Sequence, residues 1–383
     1  MKRIAVNAIY LTGSYPSSGF GRYLGNILSE LSLQDLVNEY VLYSPSPLFG
    51  NYGAKFKNVV LKPVAGRKFV DVIAESRSFE NERPDFLFLA HAEFPKPFPA
   101  DSKIVVTVHD IIPALFLGPE FLLRGKTPLA MLSLHGLLDR LTLGRRLKKI
   151  HRIATVSETS RRDLGKLFGQ EVLNKTEVIY NGVDPAFRVF SEEECRKDLK
   201  EQNLNYKSYF IYFGGHTVRK NLGRAVQAYQ SLPEEIRQTF PLIAIGEGYW
   251  KNWILKRNLG KNVRFLPKVP LESLTHLVSG AFASLYPSLY EGFGFPVVES
   301  LRAGTWPLVS ETSASREILG NAFEMADPWD WRAFRRLMLK RLETKDSVKT
   351  EMERLVASIP WDRFSWSAAA KKFMKIWESD SRN

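Results

Sequence analysis

Tyr290-Glu291-Gly292-Phe293-Gly294-Phe295-Pro296-Val297-Val298-Glu299-Ser300 is the stretch whose reading decides the fold of this chain. The apolar run Ala281-Phe282-Ala283-Ser284-Leu285-Tyr286 precedes it and predicts a buried strand. Leu301-Arg302-Ala303-Gly304 follows, and its glycine predicts the end of a short helix. Between strand and helix, Gly292 and Gly294 let the backbone approach a ligand closely. Pro296 suits the first helical position, where its missing N–H is not needed. A turn of this kind offers free amides and a positive helix end to an anion or a hydroxyl-rich ligand. Glu291 falls before the predicted helix and Glu299 inside it, eight residues on. Two carboxylates can thus face one polar ligand from different heights. The plainer alternative is a strand-turn-helix whose glutamates only cap and solubilise it.

The same strand, glycine turn and helix recur outward from this point. Tyr209-Phe210-Ile211-Tyr212-Phe213 leads into Gly214-Gly215-His216-Thr217-Val218-Arg219-Lys220-Asn221-Leu222. Asn221 is a candidate helix cap. Arg219 and Lys220 stand just before it, where cations and helix dipole together attract phosphate. Leu242 to Ile245 predicts a further strand, with Gly246-Glu247-Gly248 as its turn. Val263 to Pro270, which includes Lys268, predicts a strand edge whose free backbone groups can read a nucleobase. Nearer the N-terminus, Ile4 to Tyr10 predicts a strand. A loop holding Gly13, Gly19 and Gly21 follows, and Tyr23, Leu24, Ile27, Leu28 and Leu31 continue with helical spacing. The glycines do not follow G-x-G-x-x-G, so a dinucleotide reading is weak. Further strands are predicted at 40–43, 85–89, 104–108 and 153–157. The third of these ends in His109, and His91 follows the second. Ligands of open α/β sheets bind beyond such carboxyl ends. Val178 to Asp184, with its Asn181-Gly182 turn, closes the first domain.

Composition narrows the class. A chain of 383 residues suggests two or three domains, and 44% hydrophobic with 25% charged residues is ordinary for a globular protein. The single cysteine, Cys195, excludes an internal disulfide framework and fits a reducing compartment. The opening residues lead into a strand rather than a secretory signal, and no uncharged apolar run reaches membrane-spanning length. The net charge of +13 is compatible with nucleic acid, an anionic membrane or phosphorylated substrates. Basic and aromatic residues do not interleave as in a nucleic-acid module, so nucleic acid is set aside. No zinc spacing or Asp-x-Asp pair points to a metal. The segment 127–153 is predicted to be a helix with a stripe of Leu134, Leu137, Leu138 and Leu141. From Arg140 to Arg152 it carries Arg140, Arg145, Arg146, Lys148, Lys149 and Arg152 and no acid, which suits either a solvated face or docking on anionic lipid.

Glu291 to Glu299 resembles the Glu-x7-Glu signature of retaining, nucleotide-sugar-dependent glycosyltransferases of family 4 with the GT-B fold. Val106-Thr107-Val108-His109-Asp110 and Arg219-Lys220-Asn221-Leu222 resemble further motifs of that family. Resembling motifs run in the family's order from about Gly19 to about Trp366. The resemblance implies an α/β chain of the GT-B fold, two Rossmann-like domains facing across a deep cleft. Residues 1–187 would form the acceptor domain and 188–364 the nucleotide-sugar donor domain, with helix 365–383 crossing back onto the first.

It also implies roles. Glu291 would contact the donor sugar, Glu299 the ribose hydroxyls, Arg219 and Lys220 the diphosphate, and His109 the sugar near its 6-hydroxyl. Gly19, Gly21, Gly214, Gly215, Lys268, Gly292, Phe293, Gly294, Phe295 and Val298 would complete the donor site. Gly215 stands where many members carry an arginine five residues before the lysine, and Arg219 is expected to compensate. The implied reaction is retaining transfer of a hexose to a glycolipid, lipid-linked or oligosaccharide acceptor of polysaccharide synthesis. UDP-glucose is slightly preferred as donor and GDP-mannose is the alternative. No metal or other cofactor is expected. The implied location is cytoplasmic, peripheral on the inner face of the membrane. The runner-up functions are a GT-B nucleotide-sugar epimerase and a non-catalytic nucleotide-binding protein.

Overall fold

The structure is a computed structural model, and it describes residues 1–14, 18–48, 52–112, 142–215, 217–246, 262–321, 323–345 and 347–379. The chain forms two compact units, one of residues 1–182 with 361–383 and the other of residues 183–360.

In the first unit, seven parallel strands stand in the order β3-β2-β1-β4-β5-β6-β7. They are β1 (Arg3–Asn7), β2 (Glu39–Ser44), β3 (Phe56–Val60), β4 (Phe86–Leu89), β5 (Lys103–Val108), β6 (Arg152–Thr155) and β7 (Thr176–Val178). The central strands are continuous apolar runs because both faces of a parallel sheet are covered; all four residues of β4 are buried. β1 ends at Asn7, earlier than its apolar pattern predicts, and a 3-10 turn at Ile9–Leu11 takes over. β3 escapes the sequence reading because Phe-Lys-Asn-Val-Val, an edge strand without a buried residue, lacks a core pattern.

Helix α1 (Gly19–Gln34) buries Tyr23, Leu24, Ile27, Leu28 and Leu31, the stripe its spacing predicts. Ser18 caps it, its hydroxyl accepting from the Gly21 amide. The carboxyl-terminal helix α2 (Trp366–Glu378) packs in this unit beside α1. Its Phe373 lies 4.9 Å from the Phe88 ring and its Trp377 5.1 Å from Phe86. Gly182 admits no side chain, since a Cβ there would meet the Trp366 ring at 2.4 Å. The leucines at 134, 137, 138 and 141 and the basic Arg140 lie outside the described residues, as do Tyr15 to Ser17, His216, Glu247 and Gly248. Of the predicted 127–153 helix, residues 142–148 are described and helical, with Leu147 buried.

The second unit holds five parallel strands in the order β10-β9-β8-β11-β12. They are β8 (Phe210–Phe213), β9 (Leu242–Ile245), β10 (Val263–Leu266), β11 (Ala283–Tyr286) and β12 (Trp306–Val309). Both orders are doubly wound, and both reverse direction beside the unit's first strand. Loops after β8 and β11 therefore diverge on opposite sides of the sheet and leave a crevice at their carboxyl ends. The same holds after β1 and β4. Two helices frame the second unit's crevice, α3 (Leu222–Gln230) after β8 and α4 (Phe295–Arg302) after β11.

Candidate active site

In the second unit the switch point gathers the chemistry. Gly214 and Gly215 follow β8 with φ of +106° and +87°, a region that glycine alone enters freely. A Cβ on Gly214 would also stand 2.8 Å from Cγ of Pro296, so this turn and the start of α4 fit closely. A 3-10 turn, Val218–Lys220, then carries both predicted cations. After β11, residues 287–294 bring Glu291 to them. Lys220 Nζ lies 2.7 Å from Glu291 Oε1, and Arg219 Nη1 2.9 Å from Oε2. The Ser288 hydroxyl donates to Oε1 at 2.7 Å. A carboxylate has about four lone-pair sites, and three are filled here.

Backbone contacts bolt the two loops together. Leu289 N donates to Arg219 O at 2.7 Å. The buried Tyr212 hydroxyl donates to Gly215 O at 3.0 Å and Lys220 O at 3.3 Å. Asn221 stands at the N-cap of α3, as its sequence position predicts, yet its side chain does not cap. It adopts the left-handed conformation, and its amide donates to Pro287 O at 2.9 Å and Pro328 O at 2.8 Å.

Burial works to raise the Glu291 pKa, but the charges of Lys220 and Arg219 prevail and hold it at about 2. Lys220 is moved below its ordinary value by burial, against the pull of Glu291 and with the like charge of Arg219 adding to it. Glu291 and Lys220 are thus buried against each other, with Arg219 partly open to solvent. The sequence reading left Arg219 and Lys220 facing a phosphate at a helix start. The structure keeps them just before α3, in the 3-10 turn, and adds Glu291 as a partner that the sequence reading did not foresee.

Gly294 is the N-cap of α4 with φ +96°, and Pro296 sits one residue later than the first helical position. Glu299 is buried on α4, and its charge works weakly against the burial that lowers the Lys220 pKa. Val298 is buried beside it, and the Phe293 and Phe295 rings meet edge to face at 5.3 Å. Gly292 is buried in the same loop. Lys268 does not join the Glu291 cluster. It is exposed beyond β10, two strands from β8 at the sheet edge, roughly 10 Å away.

The first unit's switch point is built from rings. His109 follows β5, and its Nε2 lies 2.8 Å from Ala90 O. A carbonyl only accepts, so Nε2 carries the proton and Nδ1 keeps its lone pair. Burial pushes the His109 pKa down to about 4, with His91 adding to the fall, so the ring is neutral at pH 7. The Tyr23 ring stands 4.6 Å from it and Phe20 5.1 Å, while Phe20 also lies 4.5 Å from His91. Gly19 and Gly21 lie in the first turn of α1, and a Cβ at Gly19 would meet open space. The sequence reading missed Ser288, Tyr212 and this aromatic surround. Ser288 precedes Glu291 by three residues, but nothing in a Pro-Ser-Leu-Tyr stretch marks a hydroxyl that meets a carboxylate.

Two family models match, Glycosyltransferase Family 4 over residues 19–187 and Glycosyl transferases group 1 over residues 195–354. The chain is 30% identical over 270 residues to O-antigen chain mannosyltransferase B of Escherichia coli, covering 69% of this chain and 67% of that one. The chain belongs to the group 1, family 4 glycosyltransferases. Its fold agrees. Anabaena HepE, solved in complex with UDP-glucose, superposes with a TM-score of 0.74 over 99% of this chain and 100% of its own, at 15% identity. WaaG, a glycosyltransferase involved in lipopolysaccharide biosynthesis, gives 0.72 over 98% and 99%, at 17% identity. This glycosyltransferase therefore has the GT-B fold. The group 1 match contains Arg219, Lys220, Glu291 and Glu299, and the family 4 match contains Gly19, Gly21 and His109. Among the described residues, no helix is long and apolar enough to cross a membrane.

Proposed function

We propose that this glycosyltransferase transfers a hexose from a nucleotide sugar with retention of anomeric configuration, without a divalent metal. The observation that carries the reading is the buried Glu291 held on Lys220 and Arg219 at the β8/β11 switch point. A diphosphate entering this crevice meets two cations whose present partner is a carboxylate. It would share them with Glu291 and take further hydrogen bonds from the Gly214 and Gly215 turn. As the sugar leaves, charge grows on that diphosphate, and fixed cations in a dry site stabilise it by several kcal/mol. Glu291, its orientation set by three partners, keeps one lone-pair site for a sugar hydroxyl. Its negative charge also opposes the positive character of the anomeric carbon. It acts by position and charge, with the leaving phosphate taking the acceptor's proton. His109, neutral, offers Nδ1 to a sugar hydroxyl, and Glu299 accepts from the ribose diol.

Mannose is the hexose we favour over the glucose expected from the sequence. The support is the 30% identity to an O-antigen chain mannosyltransferase, which also supports a growing O-antigen-type polysaccharide as acceptor. A lipid carrier for that chain and a location at the inner face of the membrane are further parts of the proposal. The test is a thermal-shift panel of UDP, GDP, UDP-glucose and GDP-mannose, followed by proton NMR of the product formed with EDTA present. A ligand at 100 times its Kd adds about 2.7 kcal/mol of stability. An inverted anomer, or activity that EDTA abolishes and manganese restores, would overturn the mechanism.

A further inference from the structure

The first unit carries a second concave site, at the end of its sheet opposite His109. A cavity of about 490 Å³ is lined by Lys103, Lys149, Arg152 and Lys175, with Phe98 and Ile104 among its apolar residues. Lys103 opens β5, Arg152 opens β6 and Lys175 directly precedes β7, three strands that are neighbours in the sheet. The cavity therefore lies at their amino ends. His109 follows the carboxyl end of β5, six residues along and roughly 20 Å away. Four cations line it and no described lining residue is a carboxylate. Lys175 is balanced by Glu171 at 3.0 Å. Lys149 stands 5.7 Å from the centre of the Phe98 ring, and neither Lys149 nor Arg152 meets a carboxylate among the described residues.

Two uncompensated positive charges call for a dianion, and a carboxylate supplies half of that. A phosphate monoester supplies about −1.5 to −2 at pH 7, with oxygens that match a guanidinium fork. The apolar part of the lining suits an organic stem on that phosphate, and the volume is that of a small-molecule site. We propose that this pocket binds a phosphate monoester, carried by a soluble phosphorylated metabolite or by a lipid headgroup. This site is separate from the nucleotide-sugar crevice and does not rest on the mechanism given above.

The test uses the whole protein with two probes, glycerol 3-phosphate by calorimetry and phosphatidylcholine vesicles with or without phosphatidic acid by flotation. Lys149→Gln/Arg152→Gln should weaken binding at least tenfold at an unchanged melting temperature, and Arg152→Gln alone should weaken it less. Lys220→Ala should leave it intact, which separates this pocket from the nucleotide site. Calorimetric binding assigns the soluble source; binding confined to phosphatidic acid vesicles assigns the lipid. The proposal is overturned by equal binding in the double variant, by binding of neither probe, or by phosphatidylserine vesicles that bind as tightly as phosphatidic acid.

Discussion

The two switch points of this glycosyltransferase share a topology and differ in chemistry. In the second unit, the loops after β8 and β11 meet through ions: Glu291 is buried, ionised and held by Lys220 and Arg219. In the first, residues after β1, β4 and β5 meet through rings: His109 is neutral, hydrogen-bonded to Ala90 O and bordered by Phe20 and Tyr23. Burial disfavours charge in both places. In the second unit it is outweighed by two cations; in the first burial prevails over the hydrogen bond to Ala90 O, and the imidazole gives up its proton. The carboxyl ends of the two sheets thus yield a charged surface fit for phosphates in the second unit and an uncharged one fit for hydroxyls in the first.

The comparison is broken most sharply by Glu291→Gln. It leaves Lys220 and Arg219 facing a neutral amide, and stripping one partner from a buried pair costs about 3–5 kcal/mol. Turnover should fall by about two orders of magnitude. Urea unfolding and steady-state kinetics read the two effects separately. Adding Lys220→Gln should recover part of the stability and none of the activity. Full activity in Glu291→Gln would remove the carboxylate from the site.

Lys220→Ala comes next. Nucleoside diphosphate affinity measured by calorimetry should drop at least tenfold, because a charge-assisted contact is lost. Unchanged affinity would mean that the Glu291 pair is purely structural. Glu299→Gln should have a smaller and different effect. Ribose contacts exist in ground and transition states alike, so donor KM should rise more than kcat falls. Equal changes in both parameters would merge its role with that of Glu291.

Acid titration separates the two clusters. The folded pKa of His109 is lowered from 6.5 to about 4, so the unfolded chain binds the proton more readily. Stability should then fall as pH drops from 6.5 towards 4, by at most about 1.4 kcal/mol per pH unit. Glu291 is lowered from 4.5 to about 2, so its contribution is complete above 4.5 and is lost below, towards pH 2. His109→Gln should flatten the upper window and leave the lower one. An unchanged slope between pH 6.5 and 4 would show that His109 is not buried as a neutral group.

The strands were legible wherever both faces of the sheet are covered, because continuous apolar runs such as Phe86 to Leu89 and Phe210 to Phe213 have few other uses. β3, exposed at the sheet edge, left no such trace. The glycines at 214 and 294 were legible because their backbone conformations exclude other residues at low cost. The residue types of the site were legible too: cations before a helix, and carboxylates before and within another.

What the sequence by itself determined is therefore local, the strand, turn and helix units and the charges at their ends. That Lys220 and Arg219 are held by Glu291, more than 70 residues away, was decided only when β8 and β11 became neighbours. The same pairing turned Asn221 from a helix cap into a clasp on two loops. The distance of Lys268 from the Glu291 cluster was decided in the same way, since its place beyond the edge strand follows from strand order. Periodicity reports what one segment buries; which polar atoms meet depends on which segments are brought side by side, and that is a property of the assembled sheet.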